Sequence, residues 1–404
     1  MTPPRLHNRF DSLRAFNAGR DAERLALKWN AMRASPFAYF RGTAHLFWVD
    51  LARRPRALPE SPLVWACGDL HLENFGSFRG DNGLAYFDLN DFDEAAQAPM
   101  LWELARFVTG LYVAAPVLGL SRTDTRSLAK FFLASHRAAM LDGKARWIER
   151  ATAEGPVRRM LRDVKHRTNA ELLNRRTVMV RGRRRLLVDG RHALPATSAQ
   201  RAMLKDWCTR LEAPSDWPHF FQMQDVARRI AGTGSLGVER FIILVRGSDA
   251  DGNVLLDAKQ AVPSSLAAVL PVPQRQWRSE AERVVTVQHR MQAISPALLR
   301  ALRLARSSVV LRELQPVEDR LVLASIQGQT RHLHSAIRSM GHIVAWAQLR
   351  ATGRDGSATV DTLRAFARTP GWRAALLSYA ERYVRQVEEE YRQFVVAHEH
   401  GVLA

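Results

Sequence analysis

Only two cysteines, Cys67 and Cys208, occur in 404 residues. That is too few for a disulfide framework or a thiolate zinc site, and it suits a reducing compartment. Lysine is also scarce: six of the 59 basic residues are lysine (Lys28, Lys130, Lys144, Lys165, Lys205, Lys259) and the rest arginine. Long hydrophobic runs are missing. The longest, Phe107 to Leu120, contains Pro116 and is too short to span a bilayer. Met1 to His7 lack the apolar segment of a secretory signal, so the chain is expected in the cytoplasm with no membrane partner. Repeats of fixed period and low-complexity segments are absent too.

What is abundant is positive charge. Against 40 acidic residues, the 59 basic ones give a net charge of +19. Such an excess invites a nucleic-acid reading. The skew toward arginine, however, is what an arginine-coding, GC-rich genome produces, so nucleic acid is not the expected partner. With 47% hydrophobic residues the chain can bury a sizeable core, and its length fits two to three domains.

Hydrophobic spacing predicts helix over 20–52, 121–140, 143–174, 275–294, 330–352, 358–368 and 371–399. Strands are expected in Leu63-Val-Trp-Ala-Cys-Gly-Asp69, running into a polar loop, and in a hairpin turning at Gly80-Asp-Asn-Gly83. An arginine-rich hairpin is expected over 178–188, three strands over 225–262, and further strands at 307–314 and 321–325. Pro214 and Pro218 mark a boundary. The expected fold class is α+β, with a small sheet-rich unit at 220–326 inserted between helical segments 1–215 and 327–404.

The densest polar cluster is Cys67-Gly-Asp-Leu-His-Leu-Glu-Asn-Phe-Gly76, followed by Phe87-Asp-Leu-Asn-Asp-Phe-Asp-Glu94. Carboxylates crowded beside buried strands repel one another, and a divalent cation offsets that repulsion. Gly-Asp-x-His is similar to the first metal element of two-metal phosphoesterases, but the Gly-Asn-His segment those enzymes need is missing. Asp69-x-x-x-x-Asn74, a hairpin, and then Asp88 resembles instead the catalytic loop and metal-binding aspartate of the protein-kinase-like superfamily, in its aminoglycoside and choline phosphotransferase branch. That resemblance implies Asp69 as the acceptor-orienting base and Asn74 and Asp88 as magnesium ligands, with Asp91 close behind Asp88 and Asp93 open as a third choice. Glu103, in Trp102-Glu-Leu-Ala-Arg106, is similar to the acid that braces the loop in those enzymes.

Only 68 residues precede Asp69, leaving no room there for an ATP-gripping small lobe. Its parts occur later. Gly232-Thr-Gly234-Ser235-Leu-Gly237 lies between two expected strands, which is the kinase and not the Rossmann setting of Gly-x-Gly-x-x-Gly. Val254-Leu-Leu-Asp-Ala-Lys259 puts a lysine in an apolar strand, as Val-Ala-Ile-Lys does, and the helix at 275–294 offers Glu280 and Glu282 as its ion-pair partners. The implied fold is a circularly permuted, kinase-like pair of lobes, which requires Lys259 and Asp88 to face one cleft. The implied function is ATP- and Mg²⁺-dependent phosphotransfer from a nucleotide to a small hydroxyl-bearing acceptor. The alternative is a nucleotide-binding pseudokinase, or a nucleic-acid-associated regulator using the hairpin at 175–191.

The combination also resembles a bacterial family, domain of unknown function 2252. The resemblance rests on Phe40-Arg41-Gly42, Gly68 to Gly76, Asn90 to Glu94, Gly232 to Gly237 and Lys259 to Ser264, within residues 35–350. The chain departs from the family pattern at Gln260, where a glutamate is expected, and at Gln348, where a histidine is expected.

Overall fold

A computed structural model of the chain describes residues 4–212, 218–248, 252–321 and 327–402. It begins with α1 (Pro4–Asn17) and α2 (Ala22–Met32). The helical stretch expected over 20–52 is broken at Ser35, whose side chain accepts the Ala38 N–H ahead of Pro36 and starts α3 (Pro36–Gly42); α4 (Ala44–Ala52) follows. Strand β1 (Leu63–Ala66) leads through a polar loop to the hairpin of β2 (Phe75–Arg79) and β3 (Ala85–Leu89), and β4 (Ala96–Pro99) returns antiparallel to β1.

Helix α5 (Met100–Ala114) is buried along its whole length except at Trp102. Ser121 caps α6 (Arg122–Asp142), which Gly143 ends in the left-handed conformation, so helix resumes only at α7 (Gly155–Lys165) and α8 (Asn169–Arg176). The arginine-rich hairpin is β5 (Thr177–Val180) and β6 (Arg183–Leu186), followed by β7 (Ala193–Pro195) and α9 (Ser198–Glu212). Then come β8 (Met223–Arg229), β9 (Arg240–Val245), β10 (Val254–Gln260), α10 (Glu280–Met291), β11 (Arg300–Leu304), β12 (Ser307–Glu313) and β13 (Asp319–Arg320). Three helices close the chain: α11 (Thr330–Arg350), α12 (Val360–Arg368) and α13 (Trp372–Glu399). Most of the strand expected at 321–325, and Pro214 of the expected boundary, lie outside the described residues.

The fold is mixed α/β with several sheets. The largest has six strands in the order β11-β12-β10-β9-β8-β7, every neighbouring pair antiparallel. Side chains alternate across it. One face packs Phe241, Ile243, Leu256 and Leu311 against Leu204, Trp207 and Cys208 of α9. The sheet unit therefore starts well before 220: β7 joins its edge and α9 supplies the apolar cover that the inner strands require. The opposite face looks toward the β2–β3 hairpin across a cavity. A second, larger core joins α5, α6, α11 and α13 with the strands around the polar loop. Among the described residues no helix is long and apolar enough to cross a membrane.

Candidate functional site

The loop between β1 and β2 turns at Gly68, whose φ is +96°. A Cβ there would lie 2.2 Å from the Glu94 carbonyl oxygen, so only glycine fits against the acidic segment. Two charged residues of α5, three apart on one face, hold the loop. Glu103 accepts the Cys67 N–H at 2.7 Å and receives the Gln348 amide at 2.9 Å; the other end of Gln348 meets His136 Nε2 at 2.9 Å. Arg106, fully buried and stacked 3.5 Å over the Phe40 ring, donates through Nε to Asp69 Oδ1 at 2.9 Å and through Nη2 to the Phe40 carbonyl at 2.7 Å. Burial raises the Asp69 carboxyl above the usual carboxylate range, with Arg106 pulling the other way. Arg41 pairs with Glu73 of the same loop at 2.5 Å.

Asn74 works inside the loop. Its Oδ1 accepts the Asp91 N–H at 2.9 Å, and its Nδ2 donates to the carbonyls of Asp69 at 3.2 Å and Asp91 at 3.3 Å. At 1% exposure it ties Asp69 to Asp91 and does not line the cavity wall.

The two aspartates proposed as metal ligands part ways. Asp88, still within β3, turns into the core, where its carboxylate accepts from Arg350 at 3.1 Å and from the Leu89 and Ala293 N–H groups at 2.8 and 3.3 Å. It does not share the cleft of Lys259. Asp91 and Asp93 lie past the end of the strand, free of its alternation, and both face that cleft. Burial works to raise the Asp91 carboxyl, but Lys259 and Arg320 hold it below its ordinary value, so it stays ionised. Among the described residues no three His, Cys, Asp or Glu side chains gather as a metal cage. Asp91, Asp93 and Asn90 nonetheless offer carboxylate and amide oxygens on an open wall. That donor set fits magnesium, which keeps several of its waters.

Lys259 reaches this wall from β10 and pairs with Asp93. Glu282 does not pair with it. The Ser279 side chain caps α10 by accepting the Glu282 N–H at 3.1 Å, and the Glu282 carboxylate accepts the Arg278 N–H at 2.7 Å, which keeps it at the helix terminus. Glu280 pairs with Arg283 at 2.6 Å. Arg283, 4% exposed, donates to the carbonyls of Ala95, Asp93 and Val262. Glu94 accepts from the Ser265 backbone and hydroxyl at 2.7 and 2.8 Å. Two motifs far apart in the chain, Asn90–Glu94 and Lys259–Ser264, are thus docked on each other.

The glycine turn joins β8 to β9. Gly232 and Gly237 have φ of +75° and +88°, and Gly232, Gly234 and Ser235 border the cleft. Gly237 instead faces Arg20, with an added Cβ 2.9 Å from the Arg20 Cβ. The turn is pinned from behind. Arg20 donates to the carbonyls of Gly234 and Leu236 at 2.9 and 3.0 Å, and the wholly buried Lys28 donates to Gly234 at 3.1 Å and to Asn17 at 2.7 Å. Sequence reasoning passed over Lys28, Arg106 and Arg283. Spacing held a trace of each: Lys28 lies between buried Arg24 and Met32 on one face of α2, Arg106 is three residues beyond Glu103, and Arg283 three beyond Glu280.

Two cavities meet at this point. The larger, about 460 Å³, lies between the sheet face carrying Lys259 and the acidic segment. The smaller, about 70 Å³, contains Asp69, His71, Glu73 and Arg41. They share Asn90, Asp91, Asp93, Gly232, Ser235 and Arg320.

The profile of a family described as "Uncharacterized protein conserved in bacteria (DUF2252)" matches residues 20–397. No curated protein and no solved structure matches the chain.

Proposed function

The chain belongs to the bacterial family DUF2252, and from its site we propose a nucleotide- and Mg²⁺-dependent phosphotransferase of permuted kinase-like architecture that acts on a hydroxyl-bearing acceptor. The observation that carries this reading is the junction of the two cavities at Asn90, Asp91 and Asp93, with Lys259 on one side and Asp69 on the other. The larger space is the donor site and the smaller one the acceptor site. Val310 and Arg312 of β12, and Leu314 just beyond it, border the larger space, where a nucleobase would lie. The glycine turn lies over the junction, where a phosphate chain would run.

Each residue then has a chemical task. Asp69, oriented by Arg106, accepts a hydrogen bond from the acceptor hydroxyl and takes its proton as the oxygen bonds to the terminal phosphorus of ATP, whose bond to the bridging oxygen breaks and releases ADP. Its raised proton affinity makes it a better base than an exposed aspartate. Lys259 exchanges Asp93 for phosphate oxygens when a nucleotide enters. Asp91, with Asn90 and Asp93 beside it, would hold the magnesium ion, which neutralises phosphate charge when bound. Asn74 keeps Asp69 and Asp91 in register through their backbones.

The test is acceptor-dependent ADP release from ATP and Mg²⁺ across a panel of small alcohols and amino sugars. Asp69→Asn is expected to lower it by about 10²–10⁴-fold. Equal release by wild type and Asp69→Asn would remove Asp69 from the chemistry. The pseudokinase reading draws support from the Lys259–Asp93 pair, which must open before phosphate can be gripped; nucleotide binding without turnover for any acceptor would select it.

A further inference from the structure

The face of the six-stranded sheet that borders the larger cavity is unexpectedly cationic. Arg240 stands opposite Lys259 in the β9–β10 ladder, and Arg312 stands opposite Asp257 in the β10–β12 ladder. Arg229 ends β8, the next strand outward. All three guanidinium groups converge on one carboxylate. Asp257 Oδ2 lies 2.6 Å from Arg229, 2.5 Å from Arg240 and 3.4 Å from Arg312. Asp257 is 1% exposed, and its side chain with those of Arg229, Arg240 and Arg312 borders the cavity.

One carboxylate cannot balance three guanidinium ions. Among the described residues the other anions facing the group are Glu318, 3.6 Å from Arg312, and Asp93 and Asp91, whose charges favour Arg240 and Arg312 but already answer Lys259 and Arg320. Arg229 Nη1, although ion-paired, is buried with no hydrogen bond. Burial, with Arg240 and Arg312 adding to it against Asp257, lowers the Arg229 pKa to about 10. A purely structural network would be expected to match charges, because a buried surplus costs free energy. Surplus fixed charge with an unused donor on a cavity wall is the arrangement that binds anions, and planar guanidinium forks suit phosphate oxygens. Beside it, Leu186, Ile242 and Leu314 form an apolar strip on which a nucleoside can lie.

We propose that Arg229, Arg240 and Arg312 form a phosphate-binding subsite, next to Lys259, that takes a phosphoryl group without a metal ion. It rests on the reading of the larger cavity as the donor site, but not on phosphotransfer. Its ligand class is a phosphate chain, carried by a nucleotide or free as inorganic polyphosphate.

The experiment is isothermal titration of inorganic tripolyphosphate into the full chain in EDTA, and again in Mg²⁺ with and without saturating ATP. Wild type binds it. Arg229→Gln and Arg312→Gln each weaken binding about tenfold or more, whereas Arg312→Lys keeps most of it. Each substitution leaves Asp257 two arginine partners, so the fold is retained, which circular dichroism checks. Asp257→Asn removes the competing anion and tightens binding, an effect that a merely structural cluster would not give. If ATP displaces tripolyphosphate, the subsite reads a nucleotide's phosphates; if both bind together, it reads a free chain. Either supports the subsite. Absence of wild-type binding in EDTA, or unchanged affinity in folded Arg229→Gln and Arg312→Gln, overturns it. Asp91→Ala separates the two proposals: it abolishes Mg²⁺-dependent ATP binding and leaves tripolyphosphate binding in EDTA intact.

Discussion

The six-stranded sheet turns one face to α9 and the other to the cavity, and the two faces are built on opposite principles. Toward α9 the side chains are Phe241, Ile243, Leu256 and Leu311, closed off by Trp207. Toward the cavity the same strands present Arg240, Asp257, Lys259 and Arg312. A one-residue shift in any strand would exchange the two sets. The dry face thus fixes the register that places Lys259 opposite Asp93. The difference teaches that stability and chemistry are separable here, strand by strand, on alternating residues.

Substitutions can break that separation if it is wrong. The largest expected effect is on the cavity face: Lys259→Met should cut ATP-dependent turnover by about a hundredfold or more. Its thermal midpoint should stay close to wild type, since the residue lost is a cation paired with a single partly exposed aspartate. Parallel turnover assays and calorimetric melts decide this. Trp207→Ala on the dry face should do the reverse. It opens a cavity and removes the donor to the Arg303 carbonyl at 2.8 Å, costing about 3–5 kcal/mol in denaturant unfolding. Nucleotide affinity of the protein that remains folded should not change. A loss of affinity as large as that of Lys259→Met would tie the two faces together.

A smaller effect sharpens the role given to Asp69. The base acts as a carboxylate, so turnover should fall with pH as Asp69 gains a proton. Because burial raises its pKa, that acid limb should lie above the roughly 3.9 of an exposed aspartate. Arg106→Gln removes the charge that favours the carboxylate, so the limb should move further up. A limb that does not respond to Arg106→Gln would assign it to another group.

Much of this site was legible in the chain itself. The kinase-like spacing singled out Asp69, the glycine turn and Lys259, and these border the two joined cavities. Asp88 and Asp91 could not be told apart, because the choice depends on where β3 ends. Asp88 is still inside the strand and alternates into the core toward Arg350, while Asp91 is two residues past it. Glu282 was misplaced for a similar reason: capping competes locally for a carboxylate at a helix N-terminus, and here the cap won. Short β4 and β11 went unread, having too few residues to show a period of two. Arg106, Arg283 and Lys28 act through contacts made only once distant segments meet. The converging arginines around Asp257 are likewise a product of strand pairing, spread over residues 229 to 312.

The central claim is that Lys259 and Asp91, and not Asp88, face each other across a nucleotide site. Isothermal titration of ATP with and without Mg²⁺ tests it most directly, on wild type, Asp91→Ala and Asp88→Asn. The account predicts Mg²⁺-dependent binding by wild type, its loss in Asp91→Ala and its retention in folded Asp88→Asn. Loss in folded Asp88→Asn with retention in Asp91→Ala, or no Mg²⁺-dependent binding by wild type, would contradict it.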